Sequence, residues 1–292
     1  MRVRGGYAAL YSAVFLFTIT SLVVKLASRH FSGIFVSVAR FAVGATLCVA
    51  VLAFGYRSLR PARPGLIAAR GVIGAFSMAM GYAAIALTGP GRAVLLSNIY
   101  PLFVALFGAL FFGERIGPRV FVCIAICTGG AVLVMRDGSG ASLAGDLLAI
   151  GSAVFAGIAI NFVRRAAQTD NPFMLYLSPC LFGLPLLAFV PAGEIAAVGA
   201  ASAGGAAGVL FLVGVGVMSF LAQALMALGY KTVQAGKGSV VFYLETALTV
   251  LMGALFVGER FNLRFAAGLA LILGGLALNH ARLPRRRGAG VP

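Results

Sequence analysis

One eight-residue pattern occurs twice in this chain, and the duplication limits its architecture more than any other feature. Residues 108–115 read GALFFGER and residues 253–260 read GALFVGER. The copies lie 145 residues apart in a chain of 292 residues, and a pair of glycines, at 129–130 and 274–275, repeats at the same offset. A match at half the chain length indicates two related halves joined end to end. The paired glycines predict close packing of the fifth and tenth spans defined below.

The composition excludes an ordinary soluble domain. Hydrophobic residues make up 61% of the chain and charged residues 10%, whereas soluble domains are about 45–50% apolar and about 25% charged. Several apolar runs reach about 20 residues, the length that crosses the hydrocarbon region of a bilayer. We therefore expect an all-α polytopic membrane protein with ten transmembrane helices. The predicted spans are roughly 6–27, 32–54, 66–87, 91–112, 117–135, 143–163, 172–190, 206–229, 236–257 and 263–281.

The basic residues predict the orientation of these spans. With the N-terminus in the cytoplasm, sixteen of the 23 Lys and Arg residues, Arg70 among them, fall on the cytoplasmic side. Six, including Arg92, fall on the outer side, and Arg40 lies inside a span. Both termini are therefore predicted to be cytoplasmic. The net charge of +16 is explained by loops that meet anionic headgroups, and no basic stripe with interleaved aromatics suggests nucleic acid.

Five spans in each half is an odd number, so the halves must enter the membrane from opposite sides. We expect a first repeat over residues 1–137, a second, inverted repeat over 138–283, and a basic cytoplasmic tail over 284–292. Inverted repeats are typical of secondary transporters, whose substrate site lies near mid-membrane between the halves. Exchanging the conformations of the two halves would then give alternating access.

The fourth span carries a motif that resembles a known family. Tyr100-Pro101-Leu102-Phe103 precedes the Gly-Glu-Arg triplet at 113–115, and the triplet recurs at 258–260. The chain is similar to the EamA family of the drug/metabolite transporter superfamily, and its length and pattern are most like the YddG-type amino-acid exporters. The second copy departs from the motif, with Thr246 at the position equivalent to Pro101. The resemblance implies export of amino acids or other small metabolites across the cell inner membrane.

Two ionisable residues lie inside predicted spans, where charge is costly and often functional. Arg40 and Glu245 each lie about nine residues into a span, roughly 13 Å deep. They therefore reach similar depths from opposite sides. We expect Glu245 to meet a substrate ammonium or a coupling proton and Arg40 to meet a carboxylate. The alternative is a structural ion pair, or an arginine that snorkels to the interface.

Polar and aromatic residues at helical spacing complete the predicted site. On span four they share one face with Pro101, which removes an intrahelical hydrogen bond and is the predicted hinge. By pseudo-symmetry this stripe should face the one on span nine. The alternative role for all of them is hydrogen bonding between helices. The predicted substrate-binding residues besides Glu245 and Arg40 are Ser97, Tyr100, Ser239, Phe242, Tyr243, Thr246, Tyr82, Asn161 and Gln223.

No enzyme signature occurs in the sequence, and neither a metal site nor a cofactor is expected. The four cysteines fall inside apolar runs and are predicted to be buried hydrophobes. The leading hypothesis is secondary export of small metabolites, amino acids first, either coupled to protons through Glu245 or uncoupled. The alternatives are an exporter of drugs or of other metabolites, a nucleotide-sugar carrier, and an intramembrane enzyme or scaffold. A nucleotide-sugar carrier should place cations in its cavity, and Arg40 is the single candidate among the predicted spans.

Overall fold

The computed structural model of the protein describes residues 3–55, 61–113, 118–137, 142–166, 169–170, 172–199, 205–230 and 241–280. Within these ranges the secondary structure is helical, with no β-strand. The helices are α1 Val3–Ala27, α2 Gly33–Gly55, α3 Pro64–Thr88, α4 Pro90–Ser97, α5 Tyr100–Phe112, α6 Pro118–Met135, α7 Leu143–Ala166, α8 Pro172–Gly183, α9 Ala192–Gly199, α10 Gly205–Tyr230, α11 Phe242–Met252 and α12 Leu263–His280. A 3₁₀ helix, Leu184–Phe189, extends α8, and a π-helical turn, Gly253–Val257, extends α11.

Length and hydropathy confirm a multi-pass membrane protein. Six helical segments are long and apolar enough to cross a bilayer, and four shorter apolar helical stretches occupy the remaining predicted spans. Large apolar side chains cover the outside of the bundle, among them Leu210, Phe189 and Phe256. A soluble surface would not present so many apolar side chains together, whereas lipid accepts them. The short helix α9 lies outside the predicted spans, and Glu194 in it accepts the Ser32 N–H at 2.8 Å.

Helices from the two halves of the chain pack on one another throughout the bundle. α1 packs on α10, α3 on α7, and α6 on α12, while α2 and α3 both contact α8. α4 crosses α11. The buried core is built from small and branched side chains, with Phe41 and Phe265 as its largest fully buried members. All four cysteines are free and buried, as predicted.

One glycine of each pair, Gly130 or Gly275, lies at the contact between α6 and α12, and the two helices pack as predicted. A Cβ on Gly130 would meet the Gly268 carbonyl at 2.8 Å, and a Cβ on Gly275 would meet Cys127 Sγ at 2.6 Å. Positions further along α12 contact positions further back along α6, so the two helices run antiparallel. The other glycine of each pair, Gly129 or Gly274, has no atom within 4 Å of an added Cβ.

Candidate functional site

The fourth predicted span is broken in its middle. α4 ends at Ser97, α5 begins at Tyr100, and Pro101 occupies the first turn of α5. Proline has no N–H to donate back to the preceding turn, and its ring crowds the carbonyl four residues earlier, so the helix is interrupted just before it. Asn98 lies in the break, and its Nδ2 donates to Thr246 Oγ1 in α11 at 2.6 Å. The two predicted stripes therefore meet at one polar contact, and Asn98 was not among the predicted residues.

Two predicted residues, Ser97 of the first stripe and Asn161 of α7, form hydrogen bonds between helices. Ser97 Oγ donates to the Ala149 carbonyl at 3.2 Å. Asn161 Nδ2 donates to the Val104 carbonyl and to the Gly157 carbonyl, both at 3.0 Å. The Ser97 bond joins α4 to α7 and the Val104 bond joins α5 to α7, whereas the Gly157 bond lies within α7. They match the alternative role considered for these side chains, which is interhelical bonding.

The predicted residues of span nine lie in different surroundings. Phe242 packs against Phe17 of α1, with ring centroids 6.2 Å apart, in a small cluster that includes Leu10 and Val14. Thr246 is fully buried at its bond to Asn98. Residue Ser239 and the side chain of Tyr243 lie outside the described part of the protein. Tyr100 is half-buried at the start of α5.

Glu245 and Arg40 do not form an ion pair with each other. Glu245 lies in the first turn of α11, half-buried, and no hydrogen bond or salt bridge reaches its carboxylate from the described residues. Gln223 in α10 is also half-buried, and no described residue hydrogen-bonds to its side chain. A half-buried carboxylate in an apolar bundle with no partner among the described residues is the feature expected of a site for an external cation or proton.

Arg40 lies among α2, α3 and α8. It is 3% exposed, and its Nη1 donates to Met78 Sδ at 2.8 Å. The guanidinium carbon stands 5.6 Å from the centre of the Tyr82 ring, within the range of a cation–π contact. Tyr82 in turn shares a hydrogen bond of 3.1 Å with Ser219 of α10. Two predicted residues, Arg40 and Tyr82, therefore belong to one cluster that joins the two halves of the chain.

The structure adds a buried charge network that the sequence analysis missed. Arg92 lies at the start of α4, and its Nη1 approaches Asp137 at 2.8 Å. Its Nε and Nη2 both donate to Asp146, each at 2.7 Å, in a two-pronged contact. The three side chains are at most 4% exposed. The network joins α4 to the end of α6 and the start of α7, so it closes one end of the bundle.

The duplicated Glu-Arg motif contributes to the same end of the bundle. The Glu259 carboxylate enters a recess lined by Gly89, Gly91 and Gly253, and a Cβ on any of these glycines would overlap it. Its Oε2 accepts the Gly91 N–H at 3.1 Å, while Oε1 is buried with no partner among the described residues. Gly89 has φ +94°, which favours glycine. Glu114, the equivalent residue, lies outside the described residues.

Burial raises the pKa of the Glu259 carboxyl to about 7, and the Gly91 N–H and the charges of Lys25 and Arg92 limit that rise. A carboxyl with a raised pKa favours the folded state most when it is protonated. As the pH rises from about 4.5 to about 7, we expect the unfolding temperature of the wild type to decrease. The Glu259→Gln variant should lose that pH dependence. Thermal unfolding across this range measures it.

The control for this prediction is Arg260→Gln, which changes an exposed charge beside Glu259 without entering the recess. It should keep the wild-type pH dependence. Equal loss of stability with pH in the wild type and in Glu259→Gln would show that the recess does not hold a titrating carboxyl.

Comparison with known proteins places the chain among transporters. The chain is 25% identical over 287 residues to the pseudopaline exporter CntI of Pseudomonas aeruginosa, covering 96% of this chain and 97% of that one. It is 28% identical over 219 residues to a riboflavin transporter of Rhizobium johnstonii, covering 75% and 71%. An uncharacterized transporter of Archaeoglobus fulgidus is 27% identical over 265 residues, covering 87% and 90%.

A solved crystal structure has the same fold. It matches 98% of this chain and 99% of its own with a TM-score of 0.63 and 21% sequence identity. At that identity the likeness describes the fold alone. The family model of the EamA-like transporters matches residues 4–136 and again residues 143–280. This protein therefore belongs to the EamA-like transporter family, within the drug/metabolite transporter superfamily.

Proposed function

We propose that the protein is a secondary transporter that exports small metabolites, amino acids first, across the cell inner membrane. In this proposal ten spans form two inverted repeats, over 1–137 and 138–283, with both termini and the 284–292 tail in the cytoplasm. The repeats alternate between outward-open and inward-open arrangements around a site near mid-membrane. The family is one of transporters, and two of the relatives are named as exporters or transporters of small molecules, pseudopaline and riboflavin, which supports transport rather than catalysis.

The observation that carries the proposal is the reciprocal packing of α6 and α12. Gly130 lies against Gly268 and Ile272. A shift of 145 residues converts this set into Gly275 against Cys123 and Cys127, and those contacts are also present. Equivalent helices that make exchanged contacts while running antiparallel are what a two-fold axis in the membrane plane produces.

Other helix pairs support the same symmetry. The first helix of each half packs against the third helix of the other half: α1 against α10, and α7 against α3. The second helix of the first half contacts both α8 and α10, and α8 also contacts α3. Because the helices of each half pack on those of the other, we place the substrate site at the interface of the halves, where the broken fourth span meets α11.

The choice of amino acids rests on two ionisable side chains and on the resemblance to YddG-type exporters. An amino acid carries one ammonium and one carboxylate, for which Glu245 and Arg40 are the matching partners. Drugs and other metabolites are the second candidate, since the relatives are named for pseudopaline and riboflavin. A proton taken up by Glu245 would couple export to the proton gradient, and a neutral or passive cycle would give facilitated export.

Transport by purified protein in proteoliposomes tests this function. We expect uptake of radiolabelled amino acids that speeds up under a pH gradient, and we expect Glu245→Gln to reduce transport about tenfold or more. Loss of one hydrogen bond to a charged group is worth about 1.5–3 kcal/mol, and each 1.4 kcal/mol is tenfold. The variant should also lose the response to the pH gradient.

The matched control is Glu194→Gln, which removes a carboxylate that is bonded to Ser32 at one end of the bundle. It should transport at the wild-type rate. Full activity in Glu245→Gln would exclude that residue from the site, and no transport of any amino acid by the wild type would reject the amino-acid assignment.

A further inference from the structure

Two arginines, not one, lie inside the bundle beside α8. Arg40 of α2 is buried, and its Nε has no hydrogen-bond partner among the described residues. Arg70 of α3 was assigned to the cytoplasmic side by the sequence analysis. Arg70 as a residue is half-buried, but its Nε and Nη1 are buried and have no hydrogen-bond partner among the described residues. A Cβ on Gly74 would meet both Arg70 Nη1 and Pro179 of α8. Tyr176 and Cys180, on the same stretch of α8, are neighbours of Arg40, so the two positive charges share one region.

The two guanidinium groups reach this region from opposite ends of the bundle. Arg40 lies in the second turn of α2, near the end where α2 begins. Arg70 lies in the second turn of α3, which begins at the opposite end. The Arg70 side chain extends along its own helix over Gly74, where an added Cβ would overlap Nη1, and so it points toward the middle of the bundle.

The groups around these arginines are neutral. Arg40 has Tyr82, Tyr176 and Cys180 as its electrostatic neighbours. The Tyr176 hydroxyl is buried against Gly44 and lies beside the Cys180 thiol, which is also neutral. Both salt bridges found among the described residues belong to Arg92, and neither reaches this cluster.

An arginine stays charged at any physiological pH, so burial cannot be relieved by losing a proton. A buried charge without a counter-charge is strongly unfavourable unless another group supplies the opposite charge. Guanidinium groups bind carboxylates through two parallel N–H···O bonds, which a lysine cannot do. The two guanidinium groups extend from opposite ends of the bundle, so they lie at different depths. They therefore match two separate carboxylates better than one compact anion.

We propose that Arg40 and Arg70, together with the Tyr176 hydroxyl, bind an anionic substrate that carries two carboxylate groups. Acidic amino acids and related dicarboxylates are then the transported class, rather than neutral or basic amino acids. This inference rests on the proposed transport function for its physiological meaning, but binding itself can be measured without transport.

The test is ligand-induced thermal stabilisation of the purified full chain, followed by the loss of helical circular dichroism. Glutamate and succinate should raise the unfolding temperature, and the neutral analogue glutamine should not. Arg40→Gln and Arg70→Gln should weaken the apparent affinity for succinate about tenfold or more, because each removes a charge-assisted contact. Arg29→Gln, which removes an exposed arginine, should bind as the wild type does. If either glutamine variant fails to fold, Tyr176→Phe removes only the hydroxyl and should also weaken succinate binding.

Three results would overturn the inference. These are equal stabilisation by glutamine and glutamate, unchanged succinate affinity in every cluster variant, and stabilisation by inorganic phosphate or chloride without any by dicarboxylates. The outcome is separable from the transport function. Arginine-dependent succinate binding by a protein that transports nothing would reject the function and keep the site. Transport of neutral amino acids with no anion binding would keep the transport function and reject the anion site.

Discussion

Arg92→Gln is expected to destabilise the protein by about 3–5 kcal/mol, because it leaves buried carboxylates without their counter-charge. Arg92 neutralises Asp137 and Asp146 through contacts of 2.7–2.8 Å, and all three side chains are almost completely buried. Removing one partner of such a network costs more than the network itself contributes, since the remaining charges stay desolvated. Asp146→Asn combined with Arg92→Gln should therefore be less destabilised than the sum of the two single variants.

The four buried cysteines provide the measurement for this prediction. A thiol-reactive fluorogenic dye reports unfolding, because each thiol becomes accessible only when the bundle opens. Arg264→Gln is the matched control, since its guanidinium is exposed and, among the described residues, hydrogen-bonds only to the Arg136 carbonyl, at 3.3 Å. It should unfold near the wild-type temperature. An unchanged unfolding temperature in Arg92→Gln would contradict the assignment of a buried network that holds α4, α6 and α7 together.

Gly268→Leu and Gly130→Leu are expected to separate α6 from α12 and to destabilise the protein by about 1–3 kcal/mol or more. A Cβ at Gly268 would meet the Gly130 carbonyl at 2.6 Å, and one at Gly130 would meet the Gly268 carbonyl at 2.8 Å. Backbone atoms cannot move aside as a side chain can, so the helices must shift. The same dye assay measures the loss.

The sequence supplies matched controls one residue away. Gly129→Leu and Gly274→Leu change the other glycine of each pair, where nothing lies within 4 Å of an added Cβ. Both positions are exposed on the outside of the bundle, so leucine there should be tolerated in lipid. If all four leucine variants unfolded at the same temperature, close approach of the two helices would not be what stabilises this contact.

The apolar pattern predicts the helices well because burial in lipid requires long uninterrupted apolar runs. α2, for example, covers Gly33–Gly55 against a predicted 32–54. The sequence gives no sign of α9, an eight-residue helix too short to produce a span signal. Span counting also assigns Arg70 and Arg92 by their nearest loop, although both lie inside helices. Arg92 finds carboxylates 45 and 54 positions further along the chain, and only the tertiary fold brings them together.

The candidate site could be predicted only in part for a similar reason. Ionisable residues inside spans, such as Arg40 and Glu245, are visible in the sequence because charge is rare in an apolar run. The polar residues of the site are harder to identify, because hydroxyl and amide groups such as those of Ser97 and Asn161 serve helix packing as readily as ligand binding. Asn98 and Tyr176 carry no such signal, because the bond of Asn98 to Thr246 and the burial of the Tyr176 hydroxyl depend on how the helices pack.

The opposite orientation of the two halves is the central claim, and the duplicated Glu-Arg motifs allow a direct measurement of it. Arg115→Cys and Arg260→Cys are introduced separately into a chain whose four native cysteines are replaced by serine, and intact cells are treated with a membrane-impermeant maleimide. We expect the cysteine at 260 to react in intact cells and the cysteine at 115 to react only after the membrane is permeabilised. Labelling of both positions from the same side would contradict inverted repeats and, with them, alternating access between the halves.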